Sequence, residues 1–174
     1  LFALSILDGK ELWSDSLLRN KYTQASSVFT GIGGDPVVDG DFAFVTSNGG
    51  VTAALNIPRG RRVWQQKAAS LNTPWLAGDE LFLLTADNTL VDFVKYDGKI
   101  RWTTALASYE DSENKLRPIS WRGPVLVNGN LLAVSSNGHM VVVSATSGKI
   151  IATKSIPNNI VTAPVVAGSR LYLV

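Results

Sequence analysis

One stretch recurs along this chain, and it limits the possible folds more than any other feature. Pro36-Val-Val-Asp-Gly40 is followed by alternating apolar residues, Arg59-Gly60 and Val63-Trp64. The pattern returns at Pro74-Trp-Leu-Ala-Gly78, Asp97-Gly98-Lys99 and Trp102. It returns again at Pro124-Val-Leu-Val127, Gly129 and Ser147-Gly148-Lys149, where the tryptophan slot holds Ala152. The intervals Pro36 to Gly60, Pro74 to Gly98 and Pro124 to Gly148 are equal. A shortened copy opens the chain with Leu4, Asp8-Gly9-Lys10 and Trp13, and another closes it with Pro164-Val-Val-Ala-Gly168. A period of about 40 residues is the signature of a repeat architecture.

Within each copy the turn residues cut the chain into short strands. Asp-Gly between alternating apolar runs is a hairpin signal, because glycine tolerates the positive φ of a tight turn. Four strands are expected per unit: in the first near Pro36–Val38, Phe42–Thr46, Val51–Leu55 and Arg62–Gln65; in the second near Trp75–Ala77, Leu81–Thr85, Thr89–Val94 and Ile100–Thr103; in the third near Val125–Val127, Leu131–Ser135, Met140–Ser144 and Ile150–Ser155. No window holds the i, i+3, i+4 spacing of an amphipathic helix. Four-stranded units at this period select an all-β propeller of radial antiparallel blades.

The chain then divides into a half-blade over 1–14, blades over 36–66, 74–104 and 124–155, and a half-blade over 163–174. About four blades are present. The half-blades could complete each other in a four-bladed ring, or be cut edges of a larger one. The larger ring is the expectation, with this chain a piece of a longer protein whose signal peptide is already absent. Leu17–Asp35 and Ala105–Gly123 are the two long connections, read as polar surface loops.

Composition fits a stack of buried strands. Charged residues make up 17% and apolar ones 45%, against roughly 25% charged in an ordinary soluble domain. The net charge of +2 is scattered, which argues against a phosphate-binding surface and so against nucleic acid. Without cysteine there is no disulfide framework and no thiol chemistry. Apolar runs such as Met140-Val-Val-Val143 are too short to span a bilayer.

The proline-glycine start, the Ala-Leu…Gly-Lys-x-x-Trp ending and the four-strand spacing resemble the PQQ-type, quinoprotein-like β-propeller repeat. The residues that carry the likeness are Ala3-Leu4…Gly9-Lys10…Trp13, Ala54-Leu55…Gly60…Trp64, Phe93…Gly98-Lys99…Trp102 and Val143…Gly148-Lys149. The resemblance implies that Trp13, Trp64 and Trp102 dock between adjacent blades, a place suited to a large rigid side chain with one N–H to satisfy.

Within that repeat family the order of the blades is similar to the C-terminal half of the BamB family, lipoproteins of the outer-membrane β-barrel assembly machine. Pro124-Val-Leu-Val-Asn-Gly-Asn-Leu131 and Pro164-Val-Val-Ala-Gly-Ser-Arg-Leu-Tyr172 carry this likeness. It implies an eight-bladed ring of which about half is present, at the periplasmic face of the outer membrane of a Gram-negative bacterium. It also implies a lipid anchor outside this chain, and a non-catalytic scaffold that binds the POTRA domains of a BamA-like partner. By position the partner-binding loop is Gln24–Asp35, with Gln24, Ser26, Val28, Phe29 and Asp35 as contacts. The acidic contacts of the family are not evident in that loop, where Ser26-Ser-Val-Phe-Thr-Gly-Ile-Gly-Gly34 stands instead.

The competing class is a fragment of a quinone-dependent alcohol or sugar dehydrogenase, which would share the blades. Such enzymes resemble one another in a vicinal cysteine pair, a calcium ion and an aspartate base. This chain has no cysteine. Calcium needs six to eight oxygens, and the nearest acidic run, Asp39-Gly-Asp41, reads as a hairpin turn. Asp8 and Asp97 precede turn glycines and read as structural. His139, the only histidine, lacks a serine or aspartate partner at motif spacing and reads as solvated in a turn. Gly31-Ile-Gly-Gly34 follows no strand and opens no helix, so it reads as a loop and not a phosphate cradle. Arg59, Arg61 and Arg62 read as a solvated turn, and Glu110, Asp111 and Glu113 as a solvated loop. Trp75 and Trp121 lie outside the repeated slot and read as packing residues, with an interface role for Trp121 and Arg122 as the alternative. The expectation is a protein without catalytic residues, cofactor or metal.

Overall fold

The computed structural model describes residues 1–17, 33–157, 162–168 and 170–173. Regular structure among these is entirely β. A leading hairpin pairs β1 (Phe2–Leu4) with β2 (Glu11–Ser14). The first blade consists of β3 (Val37–Asp39), β4 (Phe42–Thr46), β5 (Thr52–Asn56) and β6 (Arg61–Gln66). The second holds β7 (Trp75–Ala77), β8 (Glu80–Leu84), β9 (Thr89–Val94) and β10 (Ile100–Ala105). A small hairpin, β11 (Tyr109–Asp111) and β12 (Leu116–Pro118), interrupts the series. The third blade runs through β13 (Trp121–Val127), β14 (Asn130–Ser135), β15 (His139–Ser144) and β16 (Ile150–Ser155), and a trailing hairpin pairs β17 (Val165–Ala167) with β18 (Arg170–Tyr172). Each blade is a four-stranded antiparallel meander in sequence order.

The blades stack face to face, which explains why the middle strands are apolar on both sides. On β8, Leu81 and Leu83 pack with Phe44, Ala54 and Trp64 of the first blade. Phe82 and Leu84 point the other way and pack with Leu131, Ala133 and Val143 of the third. One strand thus serves two cores, and its run of near-zero exposure replaces the in-out alternation of a sheet with one wet face. A third core joins Leu17 to Val45, Val51, Ala53 and Leu55, with Leu1 and Trp13 against it. The cores therefore lie at the seams between blades.

A bulge recurs at the same place in the four copies that reach the tryptophan slot. The residue before the tryptophan slot is skipped in the ladder: Leu12 between Glu11 and Trp13, Val63 between Arg62 and Trp64, Arg101 between Ile100 and Trp102, Ile151 between Ile150 and Ala152. A bulge bends its strand and re-aims the next side chain. It is present even where the indole is lost to Ala152.

Three expectations are corrected. Ala105–Gly123 is not a plain loop: Tyr109–Asp111 and Leu116–Pro118 pair as a hairpin, so Glu110 and Asp111 lie on a strand and only Glu113 lies in its turn. β13 starts at Trp121, before Gly123-Pro124, because a register irregularity between Arg122 and Val125 takes up the proline without ending the strand. His139 opens β15 and is half-buried, its Nδ1 3.3 Å from Asn137 Oδ1. The leading and trailing hairpins stand in separate sheets, so among the described residues no ladder joins them into a shared blade.

Candidate functional site

The repeated indoles build the seams. Trp13 Nε1 donates to Ile57 O at 2.6 Å, Trp64 Nε1 to Lys95 O at 2.7 Å, and Trp102 Nε1 to Ala145 O at 2.9 Å. Each acceptor lies three residues before the turn glycine of the next blade. That glycine is required twice over. Gly60, Gly98 and Gly148 have φ of 62°, 70° and 70°. A Cβ on them would come within 2.5, 2.6 and 2.6 Å of the Trp13, Trp64 and Trp102 rings. The turn with this glycine is thus both a hairpin and the socket for the preceding blade's indole.

Two positions after each indole a second contact crosses the seam. Asp15 receives both Arg62 Nε and Nη2, Gln66 Nε2 donates to Gly98 O at 2.9 Å, and Thr104 Oγ1 donates to Gly148 O. The Arg62 guanidinium holds the Asp15 carboxyl below the usual carboxylate range, and Asp15 in turn raises Arg62. Arg62 is therefore not a solvated turn residue as expected, although Arg59 and Arg61 are exposed. Lys95, largely buried, ties the second blade to the first through Asp39 Oδ2 at 2.7 Å and donates within its own blade to Gly78 O at 2.6 Å. Asp39 is thus engaged in a seam contact. Asp8 and Asp97 sit in their turns, each accepting from the lysine amide two residues on.

The two ends of the blades differ. One end carries the Asp-Gly turns and the indole sockets. The other carries the connections between blades, which bond to the turns joining the second and third strands: Ser70 N to Ser47 O, Leu106 N to Asn88 O and Ile156 N to Gly138 O. The end of the Gln24–Asp35 loop belongs to this second rim. Gly33 and Gly34 press on the 70–73 backbone so closely that no Cβ fits, and Asp35 N donates to Thr73 Oγ1 at 3.0 Å. Gln24, Ser26, Val28 and Phe29 lie outside the described residues.

The β11–β12 hairpin stands on the same rim. Arg117 Nε meets Glu110 Oε2 at 2.8 Å across it, Leu116 is exposed, and an Asp111 carboxylate closes the turn by accepting from Asn114. Trp121 is buried beneath it and donates to Ala107 O at 2.7 Å. The first strands of the blades face two hollows of about 660 and 420 Å³ that share the partly exposed Trp75. Among the described residues no three His, Cys, Asp or Glu side chains are grouped to hold a metal ion.

One titratable feature gave no signal in the reading of the sequence. Asp92 is 2% exposed inside the seam between the second and third blades. Burial first, and then the Glu80 carboxyl beside it, push its carboxyl up to about 7. The repeat itself held the clue: the positions paired with the tryptophan slot are Ala3, Ala54, Asp92 and Val142.

Comparison with known proteins fits this geometry. A family model described as outer membrane protein assembly factor BamB matches residues 1–104 and 108–174. The outer membrane protein assembly factor BamB of Legionella pneumophila (strain Paris) is 22% identical over 175 residues, covering 99% of this chain and 43% of the relative. The chain thus spans less than half the length of that relative. The crystal structure of BamB from Moraxella catarrhalis superposes with a TM-score of 0.74 at 19% identity, covering 99% of this chain and 47% of that one. A quinohemoprotein alcohol dehydrogenase from Comamonas testosteroni gives 0.59 at 17% identity over 72% of this chain and 21% of its own. At such identities the superpositions speak for the β-propeller fold alone.

Proposed function

This chain belongs to the family of the outer membrane protein assembly factor BamB, and from that membership we propose that it is part of a non-catalytic scaffold for outer-membrane β-barrel assembly. The intact protein would complete an eight-bladed ring and sit at the periplasmic face of the outer membrane through a lipid anchor. Its partner would be the POTRA domains of a BamA-like protein. The observation that carries this reading is the family match over nearly the whole chain, in a molecule whose repeated indoles each join one blade to the next. A rigid stack of this kind presents its loops as a fixed surface.

The proposed contact surface is the rim of interblade connections: Gln24, Ser26, Val28, Phe29 and Asp35, joined by the β11–β12 hairpin. Replacing residues 24–32 in the intact protein by a Gly-Ser link of equal length leaves Asp35 and its bond to Thr73 in place. The expected result in a titration against purified POTRA domains is a loss of affinity of about tenfold or more, as for removal of an interface anchor, with an unchanged circular dichroism spectrum. Unchanged affinity rejects the surface. The scaffold reading further expects no dye reduction when the intact protein is supplied with PQQ, calcium and an alcohol; turnover would move it to the dehydrogenase class.

A further inference from the structure

Asp92 breaks the rule of its own seam. It stands on β9 opposite Trp102, where the preceding blade has Ala54 opposite Trp64. Asp92 Oδ1 and Glu80 Oε2 are buried atoms that accept no hydrogen bond. Arg101 Nε lies 2.8 Å from Glu80 Oε2 as an ion pair, without the alignment of a hydrogen bond, and its side chain is half exposed. Arg101 is the bulge residue of its blade, which turns it away from the ladder and toward Glu80. Two carboxyl groups thus share one screened cation at the edge of an apolar core.

Among the described residues the surroundings offer no further compensation. On the elements around Asp92, Glu80 and Arg101 are the charged groups that act on it. The third blade meets this face with Leu131, Ala133, Val141 and Val143, and its turn carries Lys149 beside the socket Gly148. Lys95 is engaged by Asp39 and Asp79, and Lys99 by Asp97. Two ionised carboxylates here would leave a buried charge without a partner, which is costly. A single proton between them removes that cost and gives the pair a donor.

We propose that Glu80 and Asp92 form a proton-sensitive latch on the seam between the second and third blades, closed while the two carboxyl groups share a proton and loosened when it leaves. The direction follows from the environment. A carboxyl raised above its unfolded value binds the proton more tightly when folded, so the contribution of this pair is fully present at acid pH and is lost as pH rises through the folded value of about 7. Trp102, bonded to the third blade from the position facing Asp92, is the side chain most directly affected.

Hydrogen exchange in the intact protein tests this, corrected for the intrinsic pH dependence of exchange and run from about pH 5.5 to about pH 8.5, a window spanning the raised carboxyl. Protection at Trp102–Thr104 and Ala145–Gly148 should fall about tenfold relative to Trp64–Gln66 and Lys95–Gly98 across that window. Asp92→Asn should abolish the difference. Equal pH responses at the two seams, or a response retained in Asp92→Asn, overturn the latch. Should Asp92→Asn fail to fold, carboxyl ¹³C titration of the unsubstituted protein decides. A midpoint for Asp92 near neutrality supports the latch, and one in the ordinary aspartate range, about 3.9, overturns it.

Discussion

At the seam between the first and second blades, Trp64 faces Ala54 across the ladder and Ala68 follows the outer strand. At the next seam the same places hold Trp102, Asp92 and Leu106. The indole socket is common to both. Behind it, the first seam leaves a cleft of about 510 Å³ lined by Ala68, Val91, Phe93 and Ile100. At the second, Leu106 is joined by Ile119 and Trp121, which the long connection brings in beneath its hairpin, and the remaining hollow is about 260 Å³. The repeat thus specifies how blades are joined, while the connections decide how completely each joint is filled.

The largest effect should come from emptying the better-filled seam. Trp121→Ala removes a buried ring and its hydrogen bond to the Ala107 carbonyl. It should lower the unfolding free energy by roughly 3–5 kcal/mol, read from chemical denaturation of the intact protein. A cost near zero would mean that the hairpin and not the indole fills the joint.

The seam between the leading hairpin and the first blade answers pH in the opposite sense to Asp92. Asp15 is held below the ordinary carboxylate range by Arg62, so its contribution is present above the unfolded value and lost as pH falls through the folded one. Asp15→Asn should cost about 1–3 kcal/mol near neutrality, typical of a charge-assisted bidentate pair. That gap should narrow in denaturation curves once pH falls below the unfolded carboxylate value, about 3.9, and close only below the lower folded one. A gap independent of pH would assign the loss to packing.

The smallest effect should be a gain. Ala68→Leu places at the open seam the residue type found at Leu17 and Leu106 in the same slot. It should raise stability by about 0.5–2 kcal/mol, the usual yield of filling a cavity, measured as a higher denaturation midpoint at unchanged m. A loss would show that the cleft walls have already closed to the size of alanine.

The joints were legible because a spacing carries them: Trp13, Trp64 and Trp102 each stand four residues after a Gly, and each docks on the next such turn. The reason for those glycines was half visible. Turn chemistry explains the positive φ of Gly98, but that its missing Cβ makes room for Trp64 emerges only when blades are stacked. The β11–β12 hairpin was hidden because its strands, Tyr-Glu-Asp and Leu-Arg-Pro, are three residues long, mostly exposed, and bury no alternating face. Its positive φ values fall on Lys115 and Arg117, which advertise no turn. Asp92 was passed over because one polar residue in an apolar strand looks solvent-facing unless both faces of the blade are known to be buried. The partner-binding loop rested on position alone, and four of its five named residues lie outside the described structure.

Each repeated indole is held by the glycine turn of the following blade. A double-mutant cycle of Trp64→Ala and Gly98→Ala in the intact protein, followed by denaturant unfolding, measures that contact apart from the burial each residue contributes alone. Strong non-additivity is expected: once the indole is gone, Gly98→Ala should cost only its backbone strain, and the coupling should reach roughly 1–3 kcal/mol. Costs that simply add, to within about 0.3–0.5 kcal/mol, would mean that socket and indole are independent.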